Sequence, residues 1–210
     1  LLRLDKALDQ AARALGYPLN LEGSTAMLSQ ALDDLLRGVM QGVGNEAIGL
    51  LHEAADNPYS NGSRIRFEHG QLPDDLVLLW QAVAEQAQRL QAKATEFSAW
   101  LKQERAEDDT RAPLIAMHVS EIGGPFKRLN DVVETAQLML EDSDPPAAKW
   151  LDFSVGGGGA SATLRVVARA CPLFASGVLR RHLWPLLRAA VITSATLRAL
   201  GKFDFFLKDS

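Results

Sequence analysis

The chain has 210 residues, a formal net charge of −4 and 47% hydrophobic residues, so it can bury a substantial core in one or two domains. Its single cysteine excludes an internal disulfide framework and a cysteine-based metal site, and agrees with a reducing compartment. No apolar run approaches the ~20 residues that a membrane span requires. We therefore expect a cytoplasmic protein with no membrane partner. Because the chain begins with Leu rather than Met, we also expect it to be a piece of a longer protein.

Charge is distributed unevenly along the sequence. Residues 1–152 contain 14 Lys and Arg against 24 Asp and Glu, a net charge of −10, whereas residues 153–210 contain 8 against 2, a net charge of +6. In the second part, the first acidic residue is Asp204. This change in composition predicts a second domain that begins near Pro145 and Pro146.

Apolar residues recur every three or four positions over most of the first 150 residues, and this spacing predicts helices. The first helix covers 1–15. The second begins at a cap residue, Ser24 or Thr25, and extends through His52, either unbroken or with a break at the glycines of 42–44.

Two longer apolar stripes then alternate steps of three and four, which is typical of an antiparallel helical pair. The first opens at Pro73, with Asp74 and Asp75 suited to a helix N-terminus. The second contains Pro125 but keeps its phase across it, so we expect one kinked helix. The stripe positions are Leu76, Leu79, Val83, Ala87, Leu90, Ala94, Phe97 and Leu101, followed by Ile115, Val119, Ile122, Phe126, Leu129, Val133, Ala136 and Leu140.

Strand patterns flank these helices. "RIRF" at 64–67 predicts a short strand, and "AAKWLDFSV" and "ASATLRVVAR" predict a hairpin around the four glycines of 156–159. These glycines predict a plain turn, because no Gly-Lys-Ser/Thr follows at the spacing of a phosphate-binding loop. A helix over 176–188 is expected to bury its leucines, and an apolar strand is expected at 189–193, with most of its sheet outside this chain.

Few side chains offer catalytic chemistry. No Ser-His-Asp or Cys-His arrangement is recognisable. No histidine has a second ligand at a metal-binding spacing, so we expect the histidines at helix surfaces or caps. We expect Cys171 to be a buried structural thiol and the tryptophans to lie in the core. These residues are His52, His69, His118 and His182, and Trp80, Trp100, Trp150 and Trp184.

Basic residues of the C-terminal part form the candidate DNA-contact set. Arg165 and Arg169, four apart on a strand, are predicted to share one face, and Arg180 and Arg181 lie on the expected helix. Either these residues form a solvated surface, or they contact a polyanion, of which nucleic acid is the commonest.

The hydroxyl cluster Thr193, Ser194, Ala195 and Thr196 follows the expected last strand. Ser and Thr are preferred helix caps. Alternatively, the cluster contacts a nucleotide site, because ligands of open α/β sheets bind at the C-terminal ends of strands.

Two strings in the C-terminal part carry a family resemblance. "VITSATL" at 191–197 resembles motif III of superfamily-two helicases, and "LRRHLWPLLRAAVITSATLRALGKFDFF" at 179–206 resembles the corresponding region of DinG-type DNA helicases, which are relatives of XPD. "RIRFEHGQLPDDL" and "AAKWLDF" are similar to earlier segments of the same family. The resemblance spans roughly residues 60–210 and is looser before the last 30.

The resemblance implies a mainly α fold, in which an antiparallel helical bundle forms the arch insertion of the helicase. Residues 1–146 would be this arch, and residues 147–210 a partial return into the first RecA-like motor domain, an α/β domain. Motif III would be residues 193–196, whose side chains would couple ATP hydrolysis to DNA movement.

The resemblance also implies an activity. The parent would be an ATP-dependent 5′–3′ helicase that unwinds forked, R-loop or damaged DNA, with ATP, Mg²⁺ and a 4Fe–4S cluster as cofactors. This chain alone would be inactive and bind none of them. It would be monomeric and nucleoid-associated, with single-stranded or forked DNA and replication or repair proteins as partners. The alternative is a free-standing acidic helical module that binds other proteins.

Overall fold

The computed structural model describes residues 2–21, 23–55, 63–142, 146–156, 163–173, 179 and 183–188. The helices of this part are α1 (Leu2–Leu15), α2 (Ser24–Ala55), α3 (Asp74–Glu107) and α4 (Ala112–Leu140), and the strands are β1 (Ser63–Phe67), β2 (Ala148–Gly156) and β3 (Thr163–Cys171). Short 3₁₀ turns occupy Glu68–Gly70 and Trp184–Leu186. The predicted class, mainly α with a small β portion, is confirmed.

The first helix forms where the period-of-four pattern predicts it. Leu4, Leu8, Ala11 and Leu15 are buried along one face of α1. The helix ends before Gly16, which has a φ of +75° and therefore the left-handed conformation common at helix ends.

Helix α2 runs without a break through the glycines of 42–44. Its first residue contacts helix α3, because the Lys93 ammonium of α3 donates to the Ser24 hydroxyl at 2.9 Å. The Thr25 hydroxyl donates to Asp5 of α1 at 3.3 Å. Both predicted cap residues therefore join α2 to neighbouring helices.

Helices α3 and α4 form the predicted antiparallel pair, and Pro125 lies inside a single helix. The first turn of α3 carries Asp74 and Asp75, and Pro73 is its N-cap rather than its first residue. The phase of α4 differs from the prediction at one step: His118 is 5% exposed and Val119 is 50% exposed.

The physical reason for this difference lies in the helical repeat. A helix has 3.6 residues per turn, so a step of three from Ile115 reaches the same face as a step of four. The step to His118 followed by one of four to Ile122 is as regular as the predicted route. The expected surface position of His118 was therefore wrong.

The three strands form one antiparallel sheet in the order β1-β2-β3. Residues Ser63 to Phe67 pair with Phe153 to Lys149, and β2 pairs with β3 from Ala148–Cys171 to Gly156–Thr163. The predicted short strand and hairpin are both confirmed. One face of the sheet packs against the helices and carries Ile65, Phe67, Leu151, Phe153, Leu164, Val166, Ala168 and Ala170.

A buried lysine links the sheet to the end of α4. Lys149 is buried on the helix-facing side and donates from Nζ to the carbonyl oxygen of Glu141 at 2.8 Å. Burial lowers the pKa of Lys149, with the charges of Asp142 and Glu141 acting in the opposite direction. The ammonium thereby satisfies a carbonyl that the helix end leaves without an intrahelical partner.

The described part of the C-terminal segment corrects one expectation. Its leucines were predicted to be a buried helical face, but Leu183 and Leu187 are exposed and Leu186 is 81% exposed. Pro185 lies inside the short 3₁₀ turn Trp184–Leu186, and because it has no backbone N–H it disfavours an α-helix that runs through this position. The predicted strand at 189–193 lies outside the described residues.

Strand β1 precedes the helical hairpin formed by α3 and α4, and β2 follows it. The β1–β2 pairing therefore brings the two ends of this helical hairpin together in the sheet. The division of the chain at residue 146 stays a prediction. Within the described ranges, no helix combines the length and apolar character required to cross a membrane.

Candidate nucleic-acid interface

The sheet face turned away from the helices carries most of the charge of the three strands. Because side chains alternate along a strand, the residues opposite the helix-facing set share this second face. We call this set the arginine face. Its members are Arg64 and Arg66 on β1, Trp150, Asp152 and Ser154 on β2, and Arg165, Val167 and Arg169 on β3.

The register arranges the arginine face in rows across the sheet. Arg66 and Arg169 flank Trp150 on either side. The next row places Arg64 beside Asp152, and the third places Arg165 beside Ser154. Successive rows are ~6.7 Å apart, because each is two residues further along the strand. Four arginines thus surround a central strand that has one tryptophan and one carboxylate.

Asp152 is the centre of the hydrogen bonding on this face. Its Oδ1 accepts from Nε of Arg64 at 2.6 Å, and its Oδ2 accepts from Nε of Arg169 at 2.7 Å. Oδ2 also accepts from the indole Nε1 of Trp150 at 3.3 Å. One carboxylate on the middle strand therefore joins side chains from all three strands.

The surroundings of Asp152 shift the pKa of its carboxyl group. Desolvation raises the pKa of the carboxyl, but the hydrogen bonds from Arg64 and Arg169, the charge of Arg64 and the hydrogen bond from Trp150 outweigh it. The pKa therefore lies below its ordinary value of 3.8. Asp152 is ionised at neutral pH and keeps both guanidinium groups in place.

Trp150 is half-buried, and its indole is held from two sides. Its Nε1 donates to Asp152, and the guanidinium carbon of Arg64 lies 5.3 Å from the ring centroid. A cation at this distance is attracted to the negative face of the ring. The expectation that Trp150 belongs to the core was wrong, because alternation along β2 places it opposite the buried Leu151.

Arg66 and Arg165 differ from the other two arginines of the face. Both side chains are exposed, and neither has a carboxylate within ion-pair distance in the part of the chain that the structure describes. They are therefore free to bind an anion without first breaking an ion pair.

The structure describes only two of the predicted site residues. Arg165 and Arg169 lie on one strand and one face, as predicted. Arg180 and Arg181 lie outside the described residues, as do motif III residues Thr193, Ser194, Ala195 and Thr196. Sequence reasoning missed Arg64, Arg66, Trp150 and Asp152. The alternation of basic and apolar residues in "RIRF" was the available signal.

The other predicted chemical positions do not form a second site. His69 is exposed in the 3₁₀ turn, the side chain of His52 is not described, and His182 lies outside the described residues. Cys171 is exposed, which corrects its expected burial, because it ends β3 on the same side of the sheet as Arg169. Among the residues that the structure places, no group of three His, Cys, Asp or Glu is arranged to hold a metal ion.

A small apolar groove lies between α3 and α4 around Val119 and Gly123. The only hydroxyl that lines it belongs to Ser98. The groove therefore lacks the convergent polar groups that a catalytic pocket needs.

No protein family model matches the chain. Curated relatives do. The ATP-dependent DNA helicase DinG of Salmonella typhimurium and that of Escherichia coli strain K12 are each 26% identical over 148 residues. The match covers 70% of this chain and 20% of each helicase. DinG of Photobacterium profundum is 24% identical over 168 residues, 77% of this chain and 24% of the helicase.

The chain therefore spans about a fifth to a quarter of the length of the curated relatives that it matches. At this level of identity the relationship is distant, and it extends across most of the present chain. The chain is similar to a segment of the ATP-dependent DNA helicase DinG.

Proposed function

We propose that this chain is part of an ATP-dependent DNA helicase of the DinG type that moves 5′ to 3′ along single-stranded DNA. The observation that carries the proposal is the similarity to curated DinG helicases over 70% of the chain. The arginine face adds physical support, because four arginines with a single carboxylate among them, beside a tryptophan, suit a nucleic acid strand.

Within the helicase, residues 1–146 would form the arch beside the passage of the single strand. Residues 147–210 would lead back into the first RecA-like motor domain. Thr193, Ser194 and Thr196 would couple the state of the nucleotide to the DNA-binding surface, with Ala195 between them. The proposal for these four residues rests on their resemblance to motif III.

The parent would act on forked, R-loop or damaged DNA in the cytoplasm, close to the nucleoid. It would work as a monomer with replication or repair proteins as partners. Single-strand contacts from this chain would come from Arg165 and Arg169, joined by Arg180 and Arg181.

ATP, Mg²⁺ and a 4Fe–4S cluster would be cofactors of the parent, and this chain does not fit them. The cluster requires four thiolates, whereas the chain has Cys171 alone. A phosphate-binding loop of the Gly-x₄-Gly-Lys-Ser/Thr type does not occur in the sequence. Other parts of the parent would hold all three, and the chain's own contribution would be to position the strand.

ATP hydrolysis tests the proposal. The longer protein encoded by the same reading frame should hydrolyse ATP with stimulation by single-stranded DNA, and the 210-residue chain alone should not. Robust DNA-stimulated hydrolysis by the isolated chain would contradict the proposed division of labour.

The reading frame itself separates this proposal from a protein-binding module. The flanking sequence should contain a phosphate-binding loop and four cysteines upstream of the chain. If both were missing, the acidic helical part, with its net charge of −10 over residues 1–152, would favour the interaction module instead.

A further inference from the structure

We propose that the arginine face binds single-stranded nucleic acid by stacking one base on Trp150, with neighbouring phosphates on Arg66 and Arg165. Asp152 acts as a positioning residue that orients the indole, and its ion pair with Arg64 in the free chain opens when a base takes the ring face. This inference rests on the proposed function, because it states where a strand contacts this chain and by what chemistry.

The charge on this surface is opposite to that of the chain. The protein carries a net charge of −4, yet the arginine face has four arginines against one aspartate. Two of these arginines share Asp152, and the other two are unpaired within the described residues. Arg66 lies in the row of Trp150, and Arg165 lies two rows further along. A strand that follows β2 therefore meets an unpaired cation at each end of a path of ~13 Å.

Trp150 adds a contact that a purely electrostatic surface lacks. Aromatic side chains stack on unpaired bases of any sequence, whereas bases inside a duplex are already stacked on one another. The hydrogen bond from Nε1 to Asp152 fixes the indole, so it does not need to become ordered when a base arrives. Arg64, which now lies over the ring, can move onto a phosphate and leave the ring face to the base.

Asp152 affects both phosphate binding by the arginines and base stacking on Trp150. Its negative charge offsets Arg64 and Arg169 and repels phosphate, while its hydrogen bonds orient the ring that receives the base. Replacement by Asn removes the charge with little change in shape. We therefore expect Asp152→Asn to increase electrostatic affinity and its salt dependence while weakening the preference for a single strand over a duplex. If Asp152 only stabilised the fold, Asp152→Asn would not raise the affinity while lowering the preference for a single strand.

Equilibrium binding of the 210-residue chain, without ATP, tests the inference. The probes are a fluorescent oligothymidylate, an oligouridylate of equal length, a duplex and inorganic polyphosphate. Trp150→Leu should weaken binding of both single strands about tenfold, as expected for the loss of one base–aromatic stack. The same variant should leave polyphosphate binding unchanged, and Trp150→Phe should restore most of the loss.

Arg128, an exposed residue of α4, provides a matched control. Arg128→Ala should bind like the wild type, whereas Arg66→Ala combined with Arg165→Ala should weaken all four probes. Equal affinity of wild type and Trp150→Leu for oligothymidylate, with an unchanged circular dichroism spectrum, would overturn the stacking contact. If Trp150→Leu unfolds the chain, tryptophan emission of the wild type and of Trp150→Phe decides the question. Oligothymidylate should quench the emission of the wild type more than that of Trp150→Phe, and equal quenching of the two chains would overturn the stacking contact.

These outcomes are distinguishable from failure of the proposed function. If the longer protein unwinds DNA but the arginine-face variants bind as the wild type does, the helicase assignment stands and the inference fails. If the longer protein has no DNA-stimulated ATPase activity but the chain loses affinity through Trp150→Leu, the surface stands and the helicase assignment fails. Because oligouridylate differs from oligothymidylate in both base and sugar, an oligodeoxyuridylate of equal length isolates the sugar: tighter binding than oligouridylate would identify DNA as the ligand, and weaker binding would identify RNA.

Discussion

Arg64 on β1 and Asp152 on β2, 88 residues apart in sequence, are joined at 2.6 Å across the outer face of the sheet. The second oxygen of the same carboxylate accepts from Arg169 at 2.7 Å. The pair thus fixes the strand before the long helical hairpin to the strand after it. Its contribution should be visible in both stability and binding.

The first prediction concerns acid stability. The pKa of Asp152 is lowered in the folded chain, so its contribution is present above the ordinary value of 3.8 and is lost as pH falls through the lower folded-state pKa. At neutral pH, Asp152→Asn should lower the free energy of unfolding by about 1 kcal/mol, since both arginines remain partly solvated. Urea unfolding from neutral to acidic pH measures this difference, which should vanish below the folded-state pKa. A difference that does not change with pH would contradict the ionic origin of the effect.

A second prediction concerns the turn between β1 and α3. Gly70 has a φ of +67°, and a Cβ built on it would lie 2.4 Å from the carbonyl oxygen of Ala147. Gly70→Ala should destabilise the chain by more than ~2 kcal/mol, because it combines left-handed strain with displacement of backbone.

Gly16 is the matched control for this substitution. It has a φ of +75°, and apart from its chain neighbours no atom of the described residues lies within 4 Å of a built Cβ, so Gly16→Ala should cost only the conformational strain of about 1 kcal/mol. Denaturant midpoints compare the two variants. Equal losses would show that the approach to Ala147 has no energetic consequence.

The third prediction concerns His118 of α4, which is buried although the sequence predicted a surface position. Its Nδ1 lies 3.2 Å from the exposed Glu121 carboxylate, while its Nε2 is buried without a hydrogen-bond partner among the described residues. Replacement of an unsatisfied buried polar group by an apolar one removes a desolvation penalty. His118→Leu should therefore raise the free energy of unfolding by about 1 kcal/mol.

Thermal unfolding checks this expectation, with Val119→Gln as the control on the exposed neighbouring position. The control should change the melting temperature little. A lower melting temperature for His118→Leu would show that the imidazole is satisfied in solution.

The fourth prediction uses the single cysteine as a probe of the arginine face. Cys171 is exposed, and its register partner Ala148 places it one row beyond Trp150 and Arg169. A maleimide should react with it readily in the free chain, and saturating oligothymidylate should slow the reaction. In the Trp150→Leu chain at the same oligonucleotide concentration, the protection should fall. Undiminished reactivity at saturation would place the strand elsewhere.

Local sequence patterns were sufficient for α1 to α4 and for the hairpin, but not for the expected helix at 176–188. Apolar stripes with steps of three and four define α3 and α4, and the four glycines between two alternating runs define β2 and β3. The position of His118 was not predictable, because steps of three and four from Ile115 both give a regular stripe. Packing against the neighbouring helices decides between them.

The arginine face illustrates a second limit. Arg165 and Arg169 could be placed on one face because they share a strand. Arg64 and Asp152 could not be placed together, because no short-range pattern specifies the register between strands separated by a helical hairpin. The burial of Cys171 was predicted from residue type alone, and its position at the end of β3 outweighs that tendency.

The salt dependence of oligothymidylate binding tests most directly the central claim, that the arginine face binds a single strand of nucleic acid through Arg66 and Arg165. For single strands, the slope of log affinity against log salt changes by about 0.7 for each phosphate contact. The chain with both Arg66→Ala and Arg165→Ala should therefore bind more weakly, with a slope shallower by about 1.4, whereas Arg128→Ala should match the wild type. Identical slopes for the double variant and the wild type would contradict the account.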